Sequence, residues 1–81
     1  MQEVVSCARA VMLRIQMART VLGESKSGFY EKQARGLITR SVKIGARAAG
    51  LPSNEVEAIN AARIAGKSED ELKALVQRLH A

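Results

Sequence analysis

Helix-breaking residues most constrain how this chain of 81 residues can fold, because all of its glycines and prolines except Gly36 and Gly45 fall in three short clusters. Glycine and serine concentrate at 23–28, the single proline lies in the cluster 50–53, and a third cluster follows at 66–68. Such residues mark turns and helix ends. No interval between the clusters alternates polar and apolar residues for long enough to indicate a strand. The pattern therefore predicts one all-α domain over 1–81, a compact helical bundle with helices at about 3–22, 29–49, 54–65 and 69–80.

The first segment carries more apolar surface than one helix face can bury. Helical spacing places Val4, Val11, Ile15 and Leu22 on one side, while other apolar side chains project elsewhere. A helix that is apolar nearly all round is usually buried from several sides. Because so short a chain has a small core of its own, we expect a homodimer whose interface includes Val5, Leu13, Met17 and Val21.

Charge is distributed unevenly along the chain. The formal net charge is +5, and residues 1–50 carry nine of the 13 Lys and Arg residues against three acids. Polyanions and acidic protein surfaces are the partners that such a segment attracts.

On a helical wheel the second segment places its cations on one side, within about 80° of each other. An unpaired row of one sign is costly on a solvated helix face, where mixed signs are usual, but it suits a row of phosphates. A merely solvated face is the alternative. The cations of this row are Lys32, Arg40, Lys43 and Arg47, with Arg35 beside them.

The two last segments begin with capping signals. Ser53 or Asn54 can cap the third helix, since Glu57 follows Asn54 by three residues. Ser68 and Glu71 give the fourth helix a clearer capping box.

Residues 42–61 resemble the helix-turn-helix DNA-binding motif. The resemblance rests on Ala46, on Gly50 in the turn, and on the apolar positions Leu51, Val56 and Ile59. It implies that the third helix is the recognition helix. The residues that it would bring near base edges are Ser53, Asn54, Ala58, Asn60 and Arg63.

Residues suited to catalysis or metal binding are scarce. The single cysteine, Cys7, and the single histidine, His80, lie at opposite ends of the chain. A disulfide within the chain is therefore impossible, and a zinc site lacks ligands. The 23–28 cluster also lacks the Gly-Lys-Ser/Thr of a phosphate-binding loop. We expect no enzyme activity, no metal and no cofactor.

The beginning of the chain has neither a cationic leader region nor an uncharged apolar span. Arg9, Arg14 and Arg19 interrupt the first apolar segment and would be costly in a bilayer. We expect a cytoplasmic protein that does not bind membranes.

Two hypotheses follow for function. The first is a small basic DNA-binding regulator or accessory protein that holds double-stranded DNA with the cations of the second segment. The alternative is a helical protein-protein interaction module, such as an adaptor, inhibitor or chaperone, that binds an acidic partner.

Overall fold

The computed structural model describes residues 10–80, which form three strands and four helices. The strands make one antiparallel sheet in the order β1-β3-β2. In chain order the elements are β1 (Met12–Arg14), α1 (Ile15–Leu22), α2 (Lys26–Ala34), β2 (Val42–Gly45), β3 (Ala48–Pro52), α3 (Ser53–Ile64) and α4 (Glu69–His80).

The prediction of an all-α helical bundle is therefore wrong, and the error is largest in the second segment. Of residues 29–49, only 29–34 are helical. Gly36 adopts a φ of 80°, which an α-helix cannot accommodate, and the chain leaves the helix axis there. Val42 and Ile44 are β-branched residues that favour strands. Pairing with β3 then replaces the helical hydrogen bonds that the period of the sequence predicted.

The first predicted helix, 3–22, is wrong over part of its length. Residues 12–14 form β1, and the helix begins only at Ile15. β1 pairs with β3, so that Leu13 lies opposite Leu51. The local sequence around Leu13 fits a helix as well as a strand. The pairing with β3, which is distant in sequence, makes it a strand. Residues 3–9 of that prediction lie outside the described residues.

The third and fourth helices lie where the sequence placed them. Ser68 and Glu71 form the predicted reciprocal cap of α4: Glu71 N–H donates to Ser68 Oγ at 3.2 Å, and Ser68 N–H donates to Glu71 Oε1 at 2.9 Å. The predicted cap of α3 is absent, because Pro52 occupies the capping position. The Ser53 hydroxyl instead accepts a hydrogen bond from Val11 N–H at 2.9 Å, which ties α3 to the residue before β1.

The core lies where α1 and α3 pack against each other and against β3. Four side chains at its centre, Phe29, Leu51, Val56 and Ile59, have no solvent exposure. Phe29 anchors α2 on this core, while Val76 brings α4 to it. All four helices are therefore fixed to one shared apolar interior. This interior also includes Ala18, Leu22 and Ile38.

β3 is the central strand, and its pairing requires a glycine. Gly50 lies opposite Arg14 on one side and Val42 on the other. A Cβ atom at Gly50 would overlap the Leu13 carbonyl oxygen and would come within 2.7 Å of Ile44 Cδ1. Any side chain here would push the neighbouring strands apart.

Candidate nucleic-acid interface

α1 and α2 are joined by a tight turn of three residues, 23–25. Gly23 ends α1 in the left-handed conformation at φ 68°, and Glu24 N–H closes the turn by donating to the Arg19 carbonyl at 2.9 Å. Ser25 caps α2 by accepting from Gly28 N–H at 3.1 Å. Two short helices joined by a short turn that contains glycine are a feature of helix-turn-helix units and of helical hairpins.

The helix pair predicted at 42–61 is not formed. Residues 42–45 and 48–52 are strands, and Gly50, the predicted turn residue, lies in the centre of the sheet. α3, the predicted recognition helix, is a core helix, since Val56 and Ile59 are fully buried. Two helices joined by a short turn instead occur earlier in the chain, at 15–34.

α2 buries one side and exposes the other. Phe29 is completely buried, and Tyr30 beside it is 46% exposed. The two rings meet edge to face, with centroids 5.4 Å apart, so the buried ring supports the exposed one. The exposed residues recur at helical spacing and form one continuous face: Lys26, Ser27, Tyr30, Glu31 and Ala34.

The β2–β3 hairpin projects a second exposed surface. Every residue from 42 to 47 is exposed, including Lys43 in β2 and Arg47 in the turn. β2 is an edge strand, so its outer side has no neighbouring strand among the described residues.

A groove joins these surfaces. It has a volume of about 310 Å³ and brings Tyr30 of α2 beside Arg47 of the hairpin and Arg14 at the end of β1. Its remaining lining residues are Ile15, Gln16, Ala48 and Ala49. We call Arg14, Tyr30 and Arg47 of the groove, together with Lys26 on the exposed face of α2 and Lys43 in β2, the binding face.

Three other cations that the sequence predicted as site residues form ion pairs within the protein. Lys32 Nζ lies 3.0 Å from Glu24 Oε1, and Arg63 Nη1 lies 2.9 Å from Glu24 Oε2. Arg35 makes two hydrogen bonds to Glu69, at 2.8 and 2.9 Å. These three cations are already engaged within the protein.

The cations of the binding face lack such partners. Among residues 10–80, no carboxylate lies within 4.0 Å of Arg14, Lys26, Lys43 or Arg47. The same is true of Arg40, which is exposed between α2 and β2 and whose backbone N–H donates to His80 Nε2 at 3.0 Å. Their charges are available to an external anion.

The predicted single row of cations on one helix is not formed. Lys32 lies on α2, Arg40 in a connection, Lys43 in β2 and Arg47 in the hairpin turn. Of the predicted base-contacting residues on α3, Asn54 is exposed, Asn60 is half-buried and Ser53 is buried.

Three residues of the candidate interface were not predicted from the sequence: Lys26, Tyr30 and Arg14. The signal for α2 was present, because Gly23 is a helix stop and Ser25, three residues before Gly28, is a helix start. The predicted turn covers the whole of 23–28, whereas α2 begins at Lys26, three residues before the predicted helix.

The residues predicted to form a dimer interface differ in their exposure to solvent. Leu13 packs against the core, whereas Met17 and Val21 on α1 are exposed by 53% and 39%. Val5 lies outside the described residues. Dimerisation stays a prediction.

The described residues offer neither a metal site nor a membrane-spanning helix. Residues 10–80 contain no cluster of three or more His, Cys, Asp or Glu residues suited to a metal ion. Within that range, no helix combines the length and apolar character needed to cross a bilayer. The chain matches no protein-family model, no curated protein and no solved structure.

Proposed function

We propose that this protein binds double-stranded DNA through the binding face, as a regulator or accessory factor rather than an enzyme. The observation that carries the proposal is the α1–α2 helix pair with its three-residue turn, followed by a hairpin whose cations have no ionic partner in the described chain. In helix-turn-helix proteins the second helix enters the major groove.

α2 has the surface that such a role requires. The major groove, about 12 Å wide, admits one α-helix. Lys26 and Ser27 lie in the first turn of α2, the part of a recognition helix that contacts base edges. Tyr30 and Ala34 continue the same exposed face, as does Glu31, whose Oε2 lies 3.9 Å from Arg35 Nη1. Apolar atoms at these positions suit contact with a thymine methyl group.

The remaining cations suit the phosphates that flank the groove. Arg14 and Arg47 line the groove beside Tyr30, and Lys43 lies on the same hairpin as Arg47. Each Lys or Arg that neutralises a phosphate releases a counterion, which strengthens binding most at low salt. α2 therefore supplies base contacts, and the hairpin with Arg14 supplies contacts to the backbone.

A salt-titrated binding assay on a labelled duplex tests this proposal. The logarithm of the affinity should fall linearly with the logarithm of salt concentration, by about 0.9 per phosphate contact. The double variant Lys43→Ala/Arg47→Ala should therefore reduce the slope by about 1.8 and weaken binding at low salt.

The matched control is Lys73→Ala/Arg78→Ala, which removes the same charge from exposed positions on α4. It should leave the slope unchanged. Absence of duplex binding at low salt, or equal loss in both variants, would contradict the proposal.

An interaction module for an acidic protein is the second candidate. It is favoured by the exposed apolar side chains Met17 and Val21 on α1 and Ile64 at the end of α3. This candidate would be supported if the chain binds no duplex DNA and co-purifies with an acidic protein.

A further inference from the structure

Glu24 stands in the turn of the proposed DNA-binding helix pair, where an acidic side chain would ordinarily repel phosphates. Its side chain is only 11% exposed, and each carboxylate oxygen has its own cation. Lys32 Nζ donates to Oε1 at 3.0 Å, and Arg63 Nη1 lies 2.9 Å from Oε2. The negative charge is therefore directed into the protein and is compensated there.

The two cations come from different helices. Lys32 belongs to α2, and Arg63 belongs to the last turn of α3. Arg63 Nη1 also donates to the carbonyl of Leu22, the last residue of α1, at 3.0 Å. One carboxylate and one guanidinium thus connect α1, the turn, α2 and α3.

The carboxylate also packs directly over the beginning of α2. A Cβ atom placed on Gly28 would lie 2.9 Å from Glu24 Oε1 and 3.1 Å from Ser25 Oγ. The glycine leaves room for the carboxylate above the first turn, where a negative charge interacts favourably with the helix dipole.

We infer that Glu24 is a positioning residue for DNA binding: through Lys32 and Arg63 it fixes the orientation of α2 relative to α3. The inference rests on the proposed function, because it concerns the geometry that the binding face presents to the duplex. Without the Glu24 charge, two partly buried cations lose their carboxylate partner and α2 loses its ionic link to α3, while the apolar packing of Phe29 remains.

Electrostatics alone and loss of positioning predict opposite effects of Glu24→Gln on the affinity for DNA. Removing an acid makes the protein more cationic, so simple electrostatics predicts tighter DNA binding. Loss of positioning predicts weaker binding, by about tenfold, the loss expected when one good contact to a base is misplaced. The control is Glu57→Gln, which changes the net charge equally at an exposed position on α3; it should bind as tightly as wild type or slightly tighter.

Two further variants separate positioning from a loss of overall stability. Lys32→Gln should weaken binding more than Lys73→Gln, which removes the same charge from an exposed position on α4, whereas Lys32→Arg keeps a donor to Glu24 and should bind like wild type. Affinities are compared at a temperature at which circular dichroism shows every variant to be folded, so that a change in stability alone does not alter them. Glu24→Gln should also speed amide hydrogen exchange in α2 more than in α4.

The outcomes distinguish this inference from the proposed function. If wild type binds duplex DNA and Glu24→Gln binds equally well or tighter, the positioning role is overturned while DNA binding stands. If wild type does not bind, the proposed function fails, and hydrogen exchange in α2 then decides: no selective increase in Glu24→Gln would overturn the positioning role as well.

Discussion

Gly50 is the residue at which the sheet tolerates least change. Replacement by alanine would place a Cβ against the Leu13 carbonyl and Ile44 Cδ1, so the strands must separate or shift. We expect Gly50→Ala to lower the free energy of unfolding by about 1–3 kcal/mol, as overpacking typically does. Urea denaturation measures this directly.

Gly45 provides the matched control, because a Cβ there meets no atom within 4 Å and its backbone φ is not positive. Gly45→Ala should unfold at nearly the wild-type urea concentration. Equal destabilisation by both substitutions would mean that the close approach around Gly50 does not determine the stability of the sheet.

At the scale of elements, the cap of α4 links stability to pH. The backbone N–H of Ser68, and then its hydroxyl and the charge of Lys67, hold the pKa of the Glu71 carboxyl below its ordinary value. A carboxyl with a lowered folded-state pKa stabilises the protein above its unfolded pKa of about 4.3, and this contribution disappears as the pH falls through the folded-state value.

Glu71→Gln should therefore be less stable than wild type at neutral pH, and the difference should shrink as the pH falls below about 4.3. Urea unfolding across that range measures it, with Glu57→Gln, an exposed α3 carboxylate outside the cap, as control. A difference that is constant with pH would show that the charge of Glu71 does not act through the cap.

The individual helices and strands show how far the sequence predicts this fold. α3 and α4 were predictable because their starts, ends and apolar spacing are all local. β1 was not, because Leu13 fits a helical stripe and only its pairing with Leu51 makes it a strand residue. The charge pattern predicts Lys43 and Arg47 as candidate binding residues, but the helical period places both of them on a helix, where neither lies. The proximity of Arg47 to Tyr30 depends on tertiary packing, which no local pattern encodes.

For the whole molecule, self-association is the prediction that the surface of α1 supports. Met17 and Val21 lie one helical turn apart and are both exposed. If they form the dimer interface, light scattering should give twice the chain mass of 8.8 kDa, and Met17→Ser/Val21→Ser should return it to 8.8 kDa. A wild-type mass of 8.8 kDa at all concentrations would contradict the dimer.

The central claim is that α2 and the β2–β3 hairpin together form the surface that binds DNA. The most direct test is to titrate ¹⁵N-labelled protein with a short duplex at low salt and to map the amide chemical-shift changes on the structure. The account predicts the largest changes in α2 around Lys26 and Tyr30 and in the hairpin around Lys43 and Arg47, with residues 69–80 little affected. Changes confined to α3 and α4, or no changes at all, would contradict it.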